Sequence, residues 1–252
     1  MEYTKRKYYQ LLSINADTKT KKGLKKGYLT GIMYLAPHKI SGRNMCSYAS
    51  KGCISSCLYS AGRGKFNSVE TARINKTKYF LNDKTNFMLD LIESIIRLKK
   101  KAENKKLTPV IRLNGTSDLL WENIKINNSA LYNRKYILDN FNYLNIISFN
   151  NIMDLFADVQ FYDYTKNPFR VKLPNNYYLT FSRAENNEQN VEIALKRGLN
   201  VAVVFNELPK KYYGLDVINA DETDLRFLDI NNAVVGLIAK GDAKRDTTGF
   251  VV

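Results

Sequence analysis

The sequence predicts an α/β fold, a partial or irregular (β/α) barrel with a long cysteine-containing loop after its first strand. Three observations predict it. Short apolar, β-branched runs recur along the chain, they end repeatedly in polar residues, and helical periodicity lies between some of them. The 252 residues match the usual size of one α/β barrel, and the 44% hydrophobic content is enough to bury a core. No Pro-, Gly- or Ser-rich linker divides the chain, so residues 28–252 read as a single α/β domain behind a basic arm, residues 1–27.

The arm carries eight Lys or Arg against only Glu2 and Asp17. Such a segment repels itself and is expected to extend into solvent unless a polyanion organises it. Residues 27–35 read as the first strand, which runs into a loop over residues 36–65 rich in Ser and Gly and holding all three cysteines. A compact domain seldom keeps about 30 irregular residues without a functional or cofactor reason. Two helices follow. Asn67 or Ser68 is placed to cap the first, through about Leu81, and Thr85 or Asn86 the second, where Phe87, Leu91, Ile92, Ile95, Ile96 and Leu98 approximate a 3.6-residue repeat.

From Thr108 onward β-rich runs end in polar residues. Residues 110–113 lead into Asn114, Thr116, Ser117 and Asp118; residues 159–162 into Asp163, Thr165 and Lys166; residues 177–181 into Ser182 and Arg183. Residues 201–205, 216–218 and 234–238 repeat the pattern, ending near Asn206, near Asp221 and Asp224, and near Lys240. In a parallel sheet or barrel, residues just past strand ends gather on one face, where ligands bind. Only residues 188–197 make a clear helix between the later strands, so a complete eight-fold repeat is not expected. Residues 123–150, rich in Asn, Tyr, Ile and Leu, read as an insertion of weak periodicity.

Cys46, Cys53 and Cys57 stand in the order C-x6-C-x3-C. An intracellular chain has little use for a disulfide, which would leave one thiol over. Thiolates suit soft metals, either a 4Fe–4S cluster or zinc. A cubane held by three thiolates keeps one iron open to a substrate or to S-adenosylmethionine. Zinc would use the single histidine, His38, to complete a Cys3His set, and three ordinary buried thiols are the plain alternative. Arg43, Lys51, Arg63 and Lys65 flank the cysteines and are expected to favour thiolate. The spacing differs from the C-x3-C-x2-C of most radical S-adenosylmethionine enzymes, and no Gly-Gly-Glu segment follows the next strand.

These residues carry a family resemblance. Residues 35–42, then Cys46, Ala49, Ser50, Gly52, Cys53, Cys57 and residues 61–64, resemble the gene product 88 family of bacteriophages and other viruses. The likeness continues through Ala72 and Arg73, Lys76 and Thr77, residues 112–118, Trp121 and Glu122, and residues 161–166. It ends with Leu179, Thr180 and Ser182, residues 224–227, Gly236, Lys240 and Gly241, and Gly249 and Phe250. It covers roughly residues 29–252, omitting the insertion. The resemblance implies a viral or mobile-element origin and the host cytoplasm as the working compartment. The cysteine loop is also similar to that of a phage family with radical S-adenosylmethionine-like character, a likeness of pattern.

Candidate acid/base groups are Asp118, Glu122 and Asp163, the last expected to point into the barrel mouth. Candidate substrate-binding residues are Arg112, Asn114, Thr116, Lys166, Ser182, Arg183, Asp224, Arg226 and Lys240, with Lys166 itself read as a solvated charge. Arg112, within an apolar strand, needs an anionic partner, which a carboxylate or phosphate ligand would provide. No phosphate-binding P-loop, H-E-x-x-H helix or G-x-S-x-G elbow occurs, and one histidine leaves little room for His-dependent catalysis. The net charge of +15, with Tyr8, Tyr9, Tyr28, Tyr48 and Tyr59 among basic residues, suits nucleic acid. Residues 201–205 and 233–239 fall short of the ~20 apolar residues that span a bilayer, so no membrane segment is expected. Two function classes stay open: an iron–sulfur enzyme of radical S-adenosylmethionine-like type acting on a nucleotide or nucleic acid, or a non-catalytic nucleic-acid-binding protein braced by zinc or a cluster.

Overall fold

Nine strands form one sheet in a computed structural model that describes residues 9–14, 18–141 and 149–252. In chain order the strands are β1 (Leu12–Ile14), β2 (Tyr28–Met33), β3 (Thr108–Arg112), β4 (Gln160–Thr165), β5 (Tyr177–Ser182), β6 (Val201–Phe205), β7 (Lys211–Tyr212), β8 (Leu215–Asn219) and β9 (Val234–Ile238). Their order in the sheet is β1-β2-β3-β4-β5-β6-β9-β8-β7. All neighbours are parallel except the two outermost pairs, β1 with β2 and β7 with β8. Among the described residues the sheet does not close, so the α/β class and the incomplete barrel expected from the sequence both hold.

Because β2 through β6 are neighbours in chain order, each crossover steps the same way, and right-handed crossovers then put the crossover helices on one face. That face carries α3 (Asn67–Asn82), α4 (Lys84–Glu103), the short α5 (Asn128–Leu131), α6 (Lys135–Leu138) and α7 (Ile152–Leu155), and α8 (Glu188–Lys196). Strand residues an even number apart, such as Leu29 with Met33 and Tyr177 with Leu179, join Ile111 and Phe161 to meet Phe87, Leu91, Ile92, Ile95 and Leu98 of α4 in the largest core cluster. Those five α4 side chains are fully buried, and each contributes roughly 1.5–3 kcal/mol by leaving water. Gly31 lets α4 lie directly on β2, since a Cβ there would come within 2.8 Å of Leu98 Cδ2. The opposite face, which would line a closed barrel, packs Val110 and Tyr162 against Leu225 and Phe227.

Three local expectations are corrected. The second helix begins two residues early because Asp83, not Thr85 or Asn86, accepts the N–H of Asn86 at 3.2 Å. The described residues of the segment read as an insertion lie in the β3-to-β4 crossover and pack into the core: Leu131 and Ile137 are fully buried, and Arg134 bridges Asp90 and Glu93 of α4. Its helices have four residues each, too short to show a period. The basic arm is folded where it is described. Leu11 and Leu12 are buried, the Leu11 carbonyl accepts Lys76 Nζ at 2.8 Å, and α1 (Thr18–Leu24) lies near β2 with Gly23 against Leu225. Residues 1–8 and 15–17 of the arm, and Tyr8 with them, lie outside the described residues.

Asp221 holds α1 down by accepting from Lys19 at 2.8 Å and Lys240 at 2.6 Å. Burial pushes its carboxyl up, but the hydrogen bonds from Lys19 and Lys240 outweigh that and hold it down to about 2. A depressed carboxyl stabilises the fold above its unfolded pKa, near 4, and that stability is lost as pH falls through the folded value. Urea unfolding of wild type and Asp221→Asn between about pH 5 and pH 2 should therefore show a wild-type advantage on the order of 1–2 kcal/mol at the upper end, vanishing at the lower. An advantage that grows toward acid would reverse the assignment.

Candidate functional site

After β2 the chain crosses the C-terminal ends of the parallel strands. The contacts of residues 36–66 establish this one by one. Past β3, Cys46 Sγ lies 3.8 Å from the Thr116 carbonyl and Asp118 donates its N–H to the Met45 carbonyl at 2.9 Å. Past β5, Glu185 accepts from Ser50 Oγ at 2.5 Å and from Gly52 N at 2.8 Å. Past β9, Gly241 faces Ala61. The loop is anchored at its start by Thr116 Oγ1, which donates to the Leu35 carbonyl at 2.5 Å.

Cys46, Cys53 and Cys57 are free thiols, each partly buried. Burial pushes the Cys46 thiol up to about 12, and the nearby Asp118, Cys57 and Cys53 push the same way. Cys53 and Cys57 are raised for the same first reason, burial. The expected local lowering by Arg43, Lys51 and Lys65 does not prevail, because these side chains stand in water and desolvation of the thiols outweighs them; the Arg63 side chain lies outside the described residues. The cations that do act on the thiols come from elsewhere: Lys166 on Cys53, and Arg73 and Lys166 on Cys57. Two sulfurs also accept backbone N–H groups, Cys46 from His38 at 3.4 Å and Cys57 from Tyr59.

Helix α2 (Lys51–Ser55) positions Cys53. Ser50 caps it by accepting Cys53 N at 3.1 Å, and the Glu185 carboxylate, held below its usual range by Ser50 and Gly52 against the pull of burial, locks that cap. The C-terminal segment presses on the same turn. A Cβ on Gly52 would fall 2.2 Å from Thr248 Oγ1, 2.7 Å from Phe250 Cβ and 2.8 Å from Glu185 Oε2. Arg183 binds the carbonyls of Gly249 and Phe250, and Lys166 sits 5.2 Å over the Phe250 ring. Gly52→Ala is expected to lift α2 and speed alkylation of Cys53 by iodoacetamide at least several-fold, because one of the three atoms facing that Cβ, Phe250 Cβ, is fixed by its backbone and cannot swing away. An unchanged alkylation rate would show that the contact gives way freely.

Lys166 is not solvated. It is 8% exposed, and its ammonium donates to Ser182 Oγ at 2.7 Å, to the Ser182 carbonyl at 3.4 Å and to the Arg183 carbonyl at 3.2 Å. Its backbone N–H binds Asp118 Oδ2 at 2.9 Å, while Asp118 Oδ1 has no hydrogen-bond partner and faces Arg170 Nη1 at 3.7 Å. Burial pushes the Asp118 carboxyl up.

A family model described as Gene product 88 matches residues 7–252. The chain belongs to the gene product 88 family. The match takes in the folded part of the arm and the β3-to-β4 crossover, both of which the sequence resemblance left out. A comparison with curated proteins and with solved structures finds no match. Among the described residues no helix is long and apolar enough to cross a membrane.

In this gene product 88 chain the predicted site residues separate into groups. Cys46, Cys53, Cys57, Thr116, Asp118, Lys166 and Ser182 meet at the strand tips. Arg183 sits beside them but is engaged with Glu188 and the C-terminal carbonyls. Arg112 has its anion within the chain: Nη1 binds both Asp224 oxygens, at 3.2 and 3.0 Å, and Tyr162 OH adds a bond at 3.2 Å. Arg226 is 2% exposed and turned to Asp229 and the Thr223 carbonyl. Asp163 points away from the expected mouth, onto the helix-covered face, where Asn114 N and Tyr177 OH donate to it at 2.7 and 2.8 Å and burial pushes it up to about 7. Glu122 pairs with Arg170, Asn114 is 2% exposed within its own turn, and Lys240 is taken by Asp221. Glu185 and Arg73 were missed. Glu185 stands three residues past β5, the one signal that strand-end position offered.

Among the described residues no three His, Cys, Asp or Glu side chains form a set arranged for a metal ion. A single zinc, about 2.3 Å from each sulfur, needs its thiolates within about 4 Å of one another. A cubane attaches each thiolate to a separate iron and takes them farther apart. Three free thiols on one braced loop, two of them accepting N–H bonds, are soft donors of the kind that either group takes. His38 meets Cys46 through its backbone N–H.

Proposed function

We propose that this chain is an iron–sulfur enzyme of radical S-adenosylmethionine-like type, with Cys46, Cys53 and Cys57 as the ligands of a 4Fe–4S cluster. One observation carries the reading: three free thiols, close enough to act on one another electrostatically, lie on a loop that leaves the first parallel strand and covers the tips of the others. Such a cluster supplies an open iron for S-adenosylmethionine and an electron for its reductive cleavage. The protein's own groups prepare the place. Lys166 offsets the negative charge that three thiolates gather, and Glu185 holds the cap of α2 so that Cys53 stays in position. Asp118, with one oxygen unbonded beside the thiols, is placed to hold a proton. The 246–250 segment excludes water from α2. A viral or mobile-element protein working in the reducing host cytoplasm keeps such thiols free.

The test is anaerobic reconstitution followed by metal and sulfide analysis. About four irons and four sulfides per chain are expected, falling sharply in Cys46→Ala, Cys53→Ala and Cys57→Ala. One tightly held zinc per chain in place of iron overturns the cluster. With dithionite, loaded protein is expected to convert S-adenosylmethionine to methionine and 5′-deoxyadenosine. A loaded protein that leaves it intact overturns the radical chemistry.

A further inference from the structure

We propose that the solvent side of the cysteine loop is a docking surface for single-stranded nucleic acid, with Tyr48 and Phe66 as stacking platforms and Lys39, Arg43, Lys51 and Lys65 as phosphate partners. The charge pattern is the first observation. No Asp or Glu occurs between Asp17 and Glu70, so every charge on the loop is positive. Lys39, Arg43, Lys51 and Lys65 are all exposed, and among the described residues none of them stands in an ion pair. The arginines of the interior are matched instead: Arg112 by Asp224, Arg134 by Asp90 and Glu93, Arg170 by Glu122, and Arg226 by Asp229. The loop thus offers a run of exposed cations without carboxylates.

The second observation is apolar. Tyr48 is 45% exposed, Leu58 60% and Phe66 60%, within the same stretch as the basic residues. Each aromatic has cations close in sequence, Tyr48 before Lys51 and Phe66 next to Lys65. Phosphate charge explains the lysines and arginine but gives the exposed rings nothing to do. Unpaired bases do, because every base has a face to stack while the backbone runs along the cations. A duplex hides its base faces. A membrane surface favours a long amphipathic helix, whereas α2 has five residues. The strand so held would lie across the loop whose other side carries the thiols.

The interface goes beyond the iron–sulfur reading and does not rest on it. The test is fluorescence anisotropy of the full chain, metal-free and reconstituted, with a labelled mixed-sequence strand of about a dozen nucleotides, as DNA and as RNA. Binding of either strand should weaken with salt at a log–log slope of about −3, near −0.7 for each of four phosphates. Tyr48→Ala and Phe66→Ala should each weaken binding about tenfold at unchanged slope. Lys51→Gln and Lys65→Gln should each reduce the slope by about 0.7. No binding at about 50 mM salt overturns the proposal. So does a strand held no better than polyphosphate of equal charge, a blunt duplex held more tightly than the strand, or affinity untouched by both aromatic substitutions. Protein that binds the strand but takes up no iron keeps this interface and loses the enzyme reading; iron uptake without strand binding does the reverse.

Discussion

Arg170→Met is expected to lower the unfolding free energy by about 3–5 kcal/mol, the usual cost of stripping one partner from a buried ion pair. Arg170 is 4% exposed and its guanidinium is shared three ways. Nε and Nη2 hold the two oxygens of Glu122 at 2.8 and 2.6 Å, Nη2 also meets Tyr177 OH at 2.8 Å, and Nη1 faces Asp118. Without it, Glu122, whose side chain is 6% exposed, becomes a buried charge with a second carboxylate nearby. Lysine will not restore the loss, because one ammonium cannot replace a planar fork that serves Glu122 and Tyr177 together. Arg170→Met/Glu122→Leu should recover part of it by removing the stranded charge. Urea unfolding followed by circular dichroism measures all three variants. A loss under about 1 kcal/mol for Arg170→Met would place this pair among solvent-screened ones. The network also reaches the cysteine loop, since Asp118 donates its N–H to Met45 and accepts from Lys166.

The sheet was legible because a parallel strand buried on both faces needs an apolar run, and residues 201–205 and 234–238 were read with the bounds the strands have. Helices α4 and α8 were legible for the same kind of reason, an apolar stripe long enough to show a period. Strand β1 was not. Leu12 and the preceding Leu11 sit in a short run among polar neighbours, and Leu11 is held by long-range contacts with α3 and α4. At the site, the clustering of cysteines in one loop was visible in sequence, but its electrostatics were not. Burial sets the thiols, and the cation that acts on Cys57 against it from farthest along the chain is the buried Lys166, 109 positions on, while the sequence neighbours Lys51 and Lys65 are exposed. Arg112 shows the same limit from the other side: the need for an anion was readable, and only the fold reveals that Asp224, 112 residues away, meets it.

Asn114→Ala should be about as costly as the loss of Arg170, roughly 3–5 kcal/mol, although it removes no charge. Asn114 Oδ1 accepts from Ser117 Oγ at 2.9 Å, Leu119 N at 2.9 Å and Trp121 Nε1 at 3.0 Å, and Nδ2 donates to the Leu119 carbonyl at 2.9 Å. Alanine leaves the Leu119 and Trp121 donors buried without an acceptor, each a penalty of about 1–3 kcal/mol. Asn114→Asp restores the accepting oxygen but sets a second carboxylate beside Asp163, whose Oδ2 lies 3.4 Å from Asn114 Nδ2. Two buried carboxylates this close cannot both ionise, so the pair retains a proton in the fold that the unfolded chain gives up near pH 4. A raised carboxyl stabilises the fold at low pH and loses that contribution as pH rises through its folded value. Asn114→Asp should thus approach wild type near about pH 5 and fall well below it near about pH 8, whereas the alanine variant should show a constant deficit. Parallel denaturation curves at the two pH values separate the cases. Equal deficits for Asn114→Asp at both would mean that the two side chains do not share a proton. The same turn carries the Thr116 carbonyl against Cys46 and Asp118 against Lys166, so thiol alkylation should quicken in the alanine variant as the turn loosens.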